Sequence, residues 1–412
     1  MSAARAIAGV VTALYLAAEG FSGLELGVLF VCVTLATALM SSAIGLLSDR
    51  LGRKPFLVAV PLLAAGAALL FAEVRAPAAL FVGASIGSFG RGAGAGGGNV
   101  GPYQPAESAL VAERVPAERR ADAFGRLAFV SSVGSLLGSL LATLARAHPH
   151  VSPAVAIADY RPAFLAAAAL AALAGLLALR LSGPGPEALG RQGRTALRWP
   201  RRSWPALWRF WVTNGVNGFA IGMLGPFVSY WLYRRYGAGP GAIGVLFAVV
   251  NVGSLVSTLA AAGIGRRIGT VRAIVAVRAL SGVLLVPMVL APSFLLAGAF
   301  YLARMLLQRV GLPLRQSFTQ DNADPAERAS LAALSNLPAQ ATMAGSQALA
   351  GYLFDEVSLA APFELSALFQ CANAALYALL FTWRPPRPAG DGPAGQEAPD
   401  EAASPPPLAE PL

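Results

Sequence analysis

Charged residues are scarce in this chain. Asp, Glu, Lys and Arg make up 13% of its 412 residues, hydrophobic residues make up 56%, and the mean hydropathy is +0.60. Soluble domains carry about 25% charged residues, so a water-facing surface over most of this chain is excluded. Cysteine is limited to Cys32 and Cys371, each inside an apolar stretch, which argues against a disulfide framework and a thiolate metal site. Histidine is limited to His148 and His150 around Pro149. Without further ligands beside them they read as solvated loop residues, and no metal or other cofactor is expected. No Gly-Lys-Ser/Thr phosphate loop occurs, which disfavours an ATP-driven machine. No nucleophile, base and orienting acid group together at a recognisable spacing, so an enzyme is not expected. Strand-like alternation is missing too, and in a bilayer that leaves helices.

What is present is a series of apolar segments of about twenty residues, the length that crosses a bilayer. Six lie between Ala4 and Leu181 and six between Trp208 and Trp383. The sequence predicts an all-α membrane protein of about twelve transmembrane helices in two pseudo-symmetric six-helix bundles, residues 1–181 and 206–384. Between them, residues 182–205 hold Gly183 to Pro186 and then Arg191, Arg194, Arg198, Arg201 and Arg202, a basic cytoplasmic linker. Residues 385–412 are Pro-rich and acidic with little to bury, and read as a disordered tail. In a soluble chain the net charge of +10 would suggest a nucleic-acid partner; here the partner is the lipid bilayer, and the charge sets orientation. Placing both termini and the linker in the cytoplasm gives about twenty Lys/Arg inside and about five outside, as the positive-inside rule requires. Lys54 is the single lysine beside thirty Arg, and Ala, Gly and Pro abound, the codon bias of a high-GC bacterium. The expected location is therefore a bacterial inner membrane.

The halves repeat. The segment from Gly27, GVLFVCVTLATALMSSAIGLLSDRLG, aligns without gaps to that from Gly244, GVLFAVVNVGSLVSTLAAAGIGRRIG, and pairs Gly52 with Gly269. In the same register Met1 meets Gly218, so the first span is about ten residues shorter than its counterpart, and the natural start is expected upstream of Met1.

Between the second and third spans stands Gly45-Leu46-Leu47-Ser48-Asp49-Arg50-Leu51-Gly52-Arg53-Lys54. This resembles the major facilitator superfamily, whose loop signature Gly-x-Leu-x-Asp-Arg-x-Gly-Arg-Lys/Arg is filled at every specified position. The resemblance implies two bundles rocking about a midplane site, with Asp49 and Arg53 helping to close the cytoplasmic side. It also implies an acidic partner at the inner end of span four. Glu113 stands there, although a solvated loop acid is the alternative. The expected gate is Gly45, Asp49, Arg50, Gly52, Arg53, Lys54 and Glu113, and the duplicate loop places Arg266 where Asp49 stands. Span five carries Gly134-Ser135-Leu136-Leu137-Gly138-Ser139, similar to the antiporter signature but with Ser139 for its Pro; as Gly-x-x-x-Gly it is also ordinary helix-packing chemistry.

Near mid-membrane depth lie Arg91, whose spacing to Glu113 resembles the family's span-four arginine, and Arg304 in span ten. A cation there is costly unless it faces protein or a watery cavity. With Asn99, Asn214, Asn217, Asn251, Gln308, Asn336 and Gln340 they form the candidate substrate cavity, each asparagine and glutamine being at least as well suited to an interhelical hydrogen bond. Acids are absent from the middle of every span: Glu19, Glu25, Glu73, Asp159, Asp355 and Glu364 fall toward the external ends and Glu107 toward the cytoplasmic one. That disfavours cation/proton exchange and favours a neutral or anionic substrate. The expected function is a monomeric secondary transporter of a small organic solute, an efflux permease; a proton-coupled importer and a non-transporting membrane sensor remain as alternatives.

Overall fold

The computed structural model describes residues 1–89, 101–116, 119–145, 153–181, 200–322, 324, 327, 331 and 334–381. Among them are fifteen α-helices and no β-strand. In the first half they are α1 (Ser2–Ala18), α2 (Gly23–Leu51), α3 (Lys54–Glu73), α4 (Pro77–Gly87), α5 (Gln104–Arg114), α6 (Arg120–Leu141) and α7 (Pro153–Leu179). In the second they are α8 (Trp204–Leu224), α9 (Val228–Tyr236), α10 (Pro240–Ile268), α11 (Thr270–Val283), α12 (Leu285–Leu290), α13 (Phe294–Asp321), α14 (Leu337–Glu356) and α15 (Ala361–Leu380). The twelve spans follow because three are built from two helices each: α4 with α5, α8 with α9, and α11 with α12. The break after α4 is at Ser88, in the left-handed region at φ 54°, where the sequence predicts one continuous span. The basic linker up to Trp199 and the tail from residue 385 lie outside the described residues.

Large apolar side chains on the outer faces are exposed, Leu39, Leu295 and Leu379 by more than 70%, while Thr, Asn, Gln and Arg occupy the interior. This distribution is expected when the outer solvent is hydrocarbon.

Each half repeats the packing of the other. In the first half α3 packs on α7, α1 on α6 and α7, and α2 on α4; in the second α11 packs on α15, α8 on α14 and α15, and α10 on α13. The paired glycines behave alike: Gly52 and Gly269 take φ of 83° and 84°, which only glycine adopts without strain, to turn out of α2 and into α11.

The halves meet along two seams, α2 against α14 and α6 against α10. The glycines that open the repeated GVLF segments sit at points of close approach. A Cβ on Gly27 would lie 2.7 Å from the Gln347 carbonyl oxygen, and one on Gly244 would lie 2.5 Å from that of Ser139. Seven residues on, Thr34 Oγ1 donates to Gln347 Oε1 at 2.9 Å and Asn251 Nδ2 donates to Ser139 Oγ at 3.4 Å. At these two positions the seams match.

One apolar cluster runs through both halves at the end carrying Glu73 and Asp355. It includes Tyr15, Phe71 and Phe164 of the first half and Phe227, Trp231 and Phe354 of the second, and Phe30 meets Phe227 edge-on across the seam at 5.2 Å. At the end carrying Asp49 the clusters are separate: Ile44, Val60, Tyr103 and Ala106 in the first half, and Phe210, Leu331, Tyr377 and Phe381 with their neighbours in the second. Among the described residues the core is therefore continuous across the halves at one end and divided at the other.

Candidate functional site

In the second half, α8, α11, α13 and α15 line an open cavity of about 230 Å³. Helical spacing explains its lining. Met305, Gln308, Leu312 and Arg315 recur every three or four residues along one face of α13, as do Ile274, Arg278 and Ser281 along α11. Asn217 enters from α8 and Gln370 from α15. Gly311 admits α11 closely, since a Cβ there would lie 3.0 Å from Val277 Cγ1.

The wall is cationic. Arg278, buried, donates from Nη1 to Asn217 Oδ1, and its guanidinium lies 4.9 Å from the centre of the Tyr377 ring, a cation–π contact. Arg309 and Arg315 add two further guanidinium groups. Donors are left over: Arg309 Nε, Gln370 Nε2 and the Ser281 hydroxyl are buried without a hydrogen-bond partner, and among the described residues no Asp or Glu lines the cavity. The wall thus offers an acceptor two unsatisfied N–H groups and a hydroxyl.

Of the residues the sequence singles out, Asn217 and Gln308 line this cavity. Arg304 does not. It is buried in the apolar cluster between Tyr301 and Met305, with Nη1 3.8 Å from the Met305 sulfur and Nε unpartnered. Asn214 donates to the Ser335 carbonyl and so ties α8 to the approach to α14, and Asn251 belongs to the α6–α10 seam. Asn336 is the exposed N-cap residue of α14, and Gln340 is half-buried one turn further on. Arg91 and Asn99, like His148 and His150, lie outside the described residues.

Of the expected gate, Gly45 lies in α2 and accepts from the Ser48 hydroxyl at 3.3 Å; Gly52 ends that helix, Arg53 is the N-cap of α3, and Lys54 starts it. Asp49 and Arg50 are placed as backbone of α2, and Glu113 as backbone of α5; their side chains, and that of Arg266 in α10, lie outside the described residues. Gly134 and Gly138 have a visible packing role: α1 passes against them at Ser2 and Ala3.

Arg278, Arg309, Arg315 and Gln370 were not among the expected cavity residues. Their signal was available in Arg278 and Gln370, two large polar residues inside otherwise apolar segments. Asp355, in sequence an acid toward an external end, spans the seam. Its carboxylate accepts from the Gly23 amide at 2.9 Å and from the Leu24 amide at 2.8 Å. Ser22 and Glu25 form a reciprocal capping box at the same helix start, so the first three amides of α2 all have partners.

Two repeated helical halves, a lipid-facing exterior, a polar interior and a seal at one end define a multi-pass membrane transport protein. The chain belongs to the major facilitator superfamily, whose family model matches residues 1–216 and 210–410. Solved structures share the fold. The D323A mutant of the nucleoside transporter NupG superposes with a TM-score of 0.71 at 14% identity over 92% of this chain and 98% of its own. A bacterial homologue of the human lysosomal transporter Spinster, inward-facing and occupied, gives 0.66 at 15% identity over 92% and 93%. The human organic anion transporter MFSD10 (TETRAN) gives 0.57 at 16% identity over 91% and 96%. No curated protein matches at the level of sequence.

Proposed function

We propose that this protein is a secondary active transporter that carries a small organic solute, neutral or anionic, across a bacterial inner membrane by alternating access, as an efflux permease acting as a monomer. The supporting observation is the pair of copied seams joining two halves whose cores are fused at one end and separate at the other. Small residues and single polar bonds let helices part with little loss, whereas a continuous core across both halves would fix one state. With both termini and the Arg-rich linker in the cytoplasm, the sealed end is external and the structure is inward-facing.

A neutral or anionic solute is favoured because the cavity presents arginines and amides without a carboxylate to neutralise a cation. The fold alone does not choose, since it serves both a nucleoside transporter and an organic anion transporter. Asp49, Arg53 and Glu113 are assigned to closing the Asp49 end in the alternate state.

Flux in proteoliposomes, read with oriented and inverted vesicles, tests the reading: net outward movement is expected, net inward movement identifies an importer, and binding without flux a sensor. Asp49→Asn should lower flux at least about tenfold while leaving membrane insertion intact, the cost of losing a charge-assisted contact of about 1.5–3 kcal/mol from one state. Unchanged flux removes Asp49 from the gate.

A further inference from the structure

We infer that the cavity between α8, α11, α13 and α15 is an oxyanion subsite, which takes the carboxylate or phosphate of a small amphipathic anion. The inference rests on the transporter reading and narrows its substrate class.

Three features of the wall select this chemistry. First, its charge has one sign: Arg278, Arg309 and Arg315 come from two helices and line the same space. Arg278 is buried and Arg309 and Arg315 are half-buried; a buried charge is tolerated when a counter-charge joins it, and none of the described lining residues supplies one. Second, the unused hydrogen-bonding groups are chiefly donors. Asn217 Oδ1, the acceptor nearest Arg278, is already occupied by its Nη1, while Gln370 Nε2 and Arg309 Nε are buried without acceptors. Gln370 is 1% exposed, so its amide has no recourse to bulk water. A carboxylate or phosphate is acceptor-only and forked, which matches guanidinium and amide donors better than a hydroxyl or an amine does. Third, the rest of the lining is apolar, with Ile221, Ile274, Val277, Met305 and Leu312 facing the same space. A bare inorganic ion would leave that surface unused; an aliphatic or aromatic body covers it. At about 230 Å³ the cavity lies below the common range for drug-sized ligands, so the occupant is a small acid or the charged head of a longer one.

The site is built by the second half alone, and the repeat shows why. In the register that pairs Gly27 with Gly244, Arg278 falls on Pro61 of α3. Gln370 lies on α15, and its counterpart helix, α7, contains no glutamine. The first half therefore has no equivalent wall among its described residues.

The test is ligand-dependent thermal stability of the full-length protein in detergent with three isosteres, benzoate, benzamide and benzamidine, plus inorganic phosphate. Benzoate should raise the melting temperature saturably and bind at least about tenfold more tightly than benzamide, with no saturable effect of benzamidine; phosphate should bind more weakly than benzoate. Gln370→Glu places a carboxylate among the arginines and should abolish the benzoate effect, and Arg309→Gln should weaken it at least tenfold. Gln370→Leu, which removes the donor without adding charge, should fall between them. Each variant is judged only against its own ligand-free melting curve, so a loss of stability is not read as a loss of binding. Equal responses to benzoate and benzamide, or a benzoate response that survives Gln370→Glu, overturn the inference. Stabilisation by short-chain phosphatidylglycerol but not by benzoate reassigns the cavity to a lipid headgroup and likewise overturns it. Flux of a neutral solute without benzoate binding would leave the transporter reading standing and remove this subsite; benzoate binding without flux of any solute would do the reverse.

Discussion

At the scale of single residues, the two carboxylates with the clearest partners sit on helix starts at opposite ends of the molecule. Asp355 holds the Gly23 and Leu24 amides across the seam, and Glu327 accepts from the Ser203 amide at 2.8 Å and the Arg202 amide at 3.2 Å at the entry to α8. A carboxylate at a helix N-terminus answers both unpaired N–H groups and the helix dipole. Asp355→Ala should cost the sealed state about 1 kcal/mol, the usual worth of such a cap, and raise the population open at that end severalfold. Alkylation of a cysteine placed at Leu26, fully buried at the sealed end, reads this directly, and an unchanged labelling rate would show that Asp355 is not a latch. For Glu327, partial burial pushes the carboxyl up, but the hydrogen bonds from the Ser203 and Arg202 amides outweigh it and hold the group below its ordinary value. A depressed folded-state value means stability that is complete above the unfolded-state value and lost as pH falls through the folded one. The melting temperature should therefore drop below about pH 4.5 more steeply in the parent than in Glu327→Gln. Parallel curves would detach Glu327 from the entry to α8.

At the scale of elements, the seams depend on what is missing from two side chains. Gly27→Ala and Gly244→Ala each drive a methyl group into a backbone carbonyl of the facing helix and should destabilise by about 1–3 kcal/mol, as overpacking does. Gly66→Ala, in α3 with nothing within 4 Å, should be neutral or stabilising by up to about 1 kcal/mol. Detergent melting curves of the three variants decide the matter; equal effects would mean that close approach is not what the seam glycines provide. The helical class, the repeat and the special glycines were legible in the sequence, because each follows from local composition or from self-comparison. The kinked spans were not: Ser88 in the left-handed region leaves no trace in a hydropathy pattern. Nor was the partner of any polar residue. Asn214, Asn217 and Asn251 look alike in sequence, yet one ties α8 to the approach to α14, one faces the arginine cavity and one pins a seam. Which face of a span meets which neighbour is decided by tertiary packing, and so Arg304 sits against Met305 while Arg278, not singled out, lines the cavity.

At the scale of the whole molecule, the duplicated halves supply symmetry to the seams and asymmetry to the chemistry. Thr34 and Asn251 occupy equivalent positions and bond across equivalent seams, whereas the arginine cavity belongs to one half. A carrier needs both properties: copied seams allow two states of similar energy, and a one-sided site lets the solute stay with one bundle while the other moves past it. The direct measurement is electron spin resonance distance analysis on the α2–α14 seam, with both native cysteines replaced and labels at Leu24 and Tyr352 on the sealed end or at Leu51 and Leu337 on the other, all exposed positions. Alternating access predicts two populations whose changes oppose each other: conditions that lengthen the Leu24–Tyr352 distance shorten the Leu51–Leu337 distance. A single distance for both pairs, unmoved by pH, by solutes or by Asp355→Ala, would contradict it.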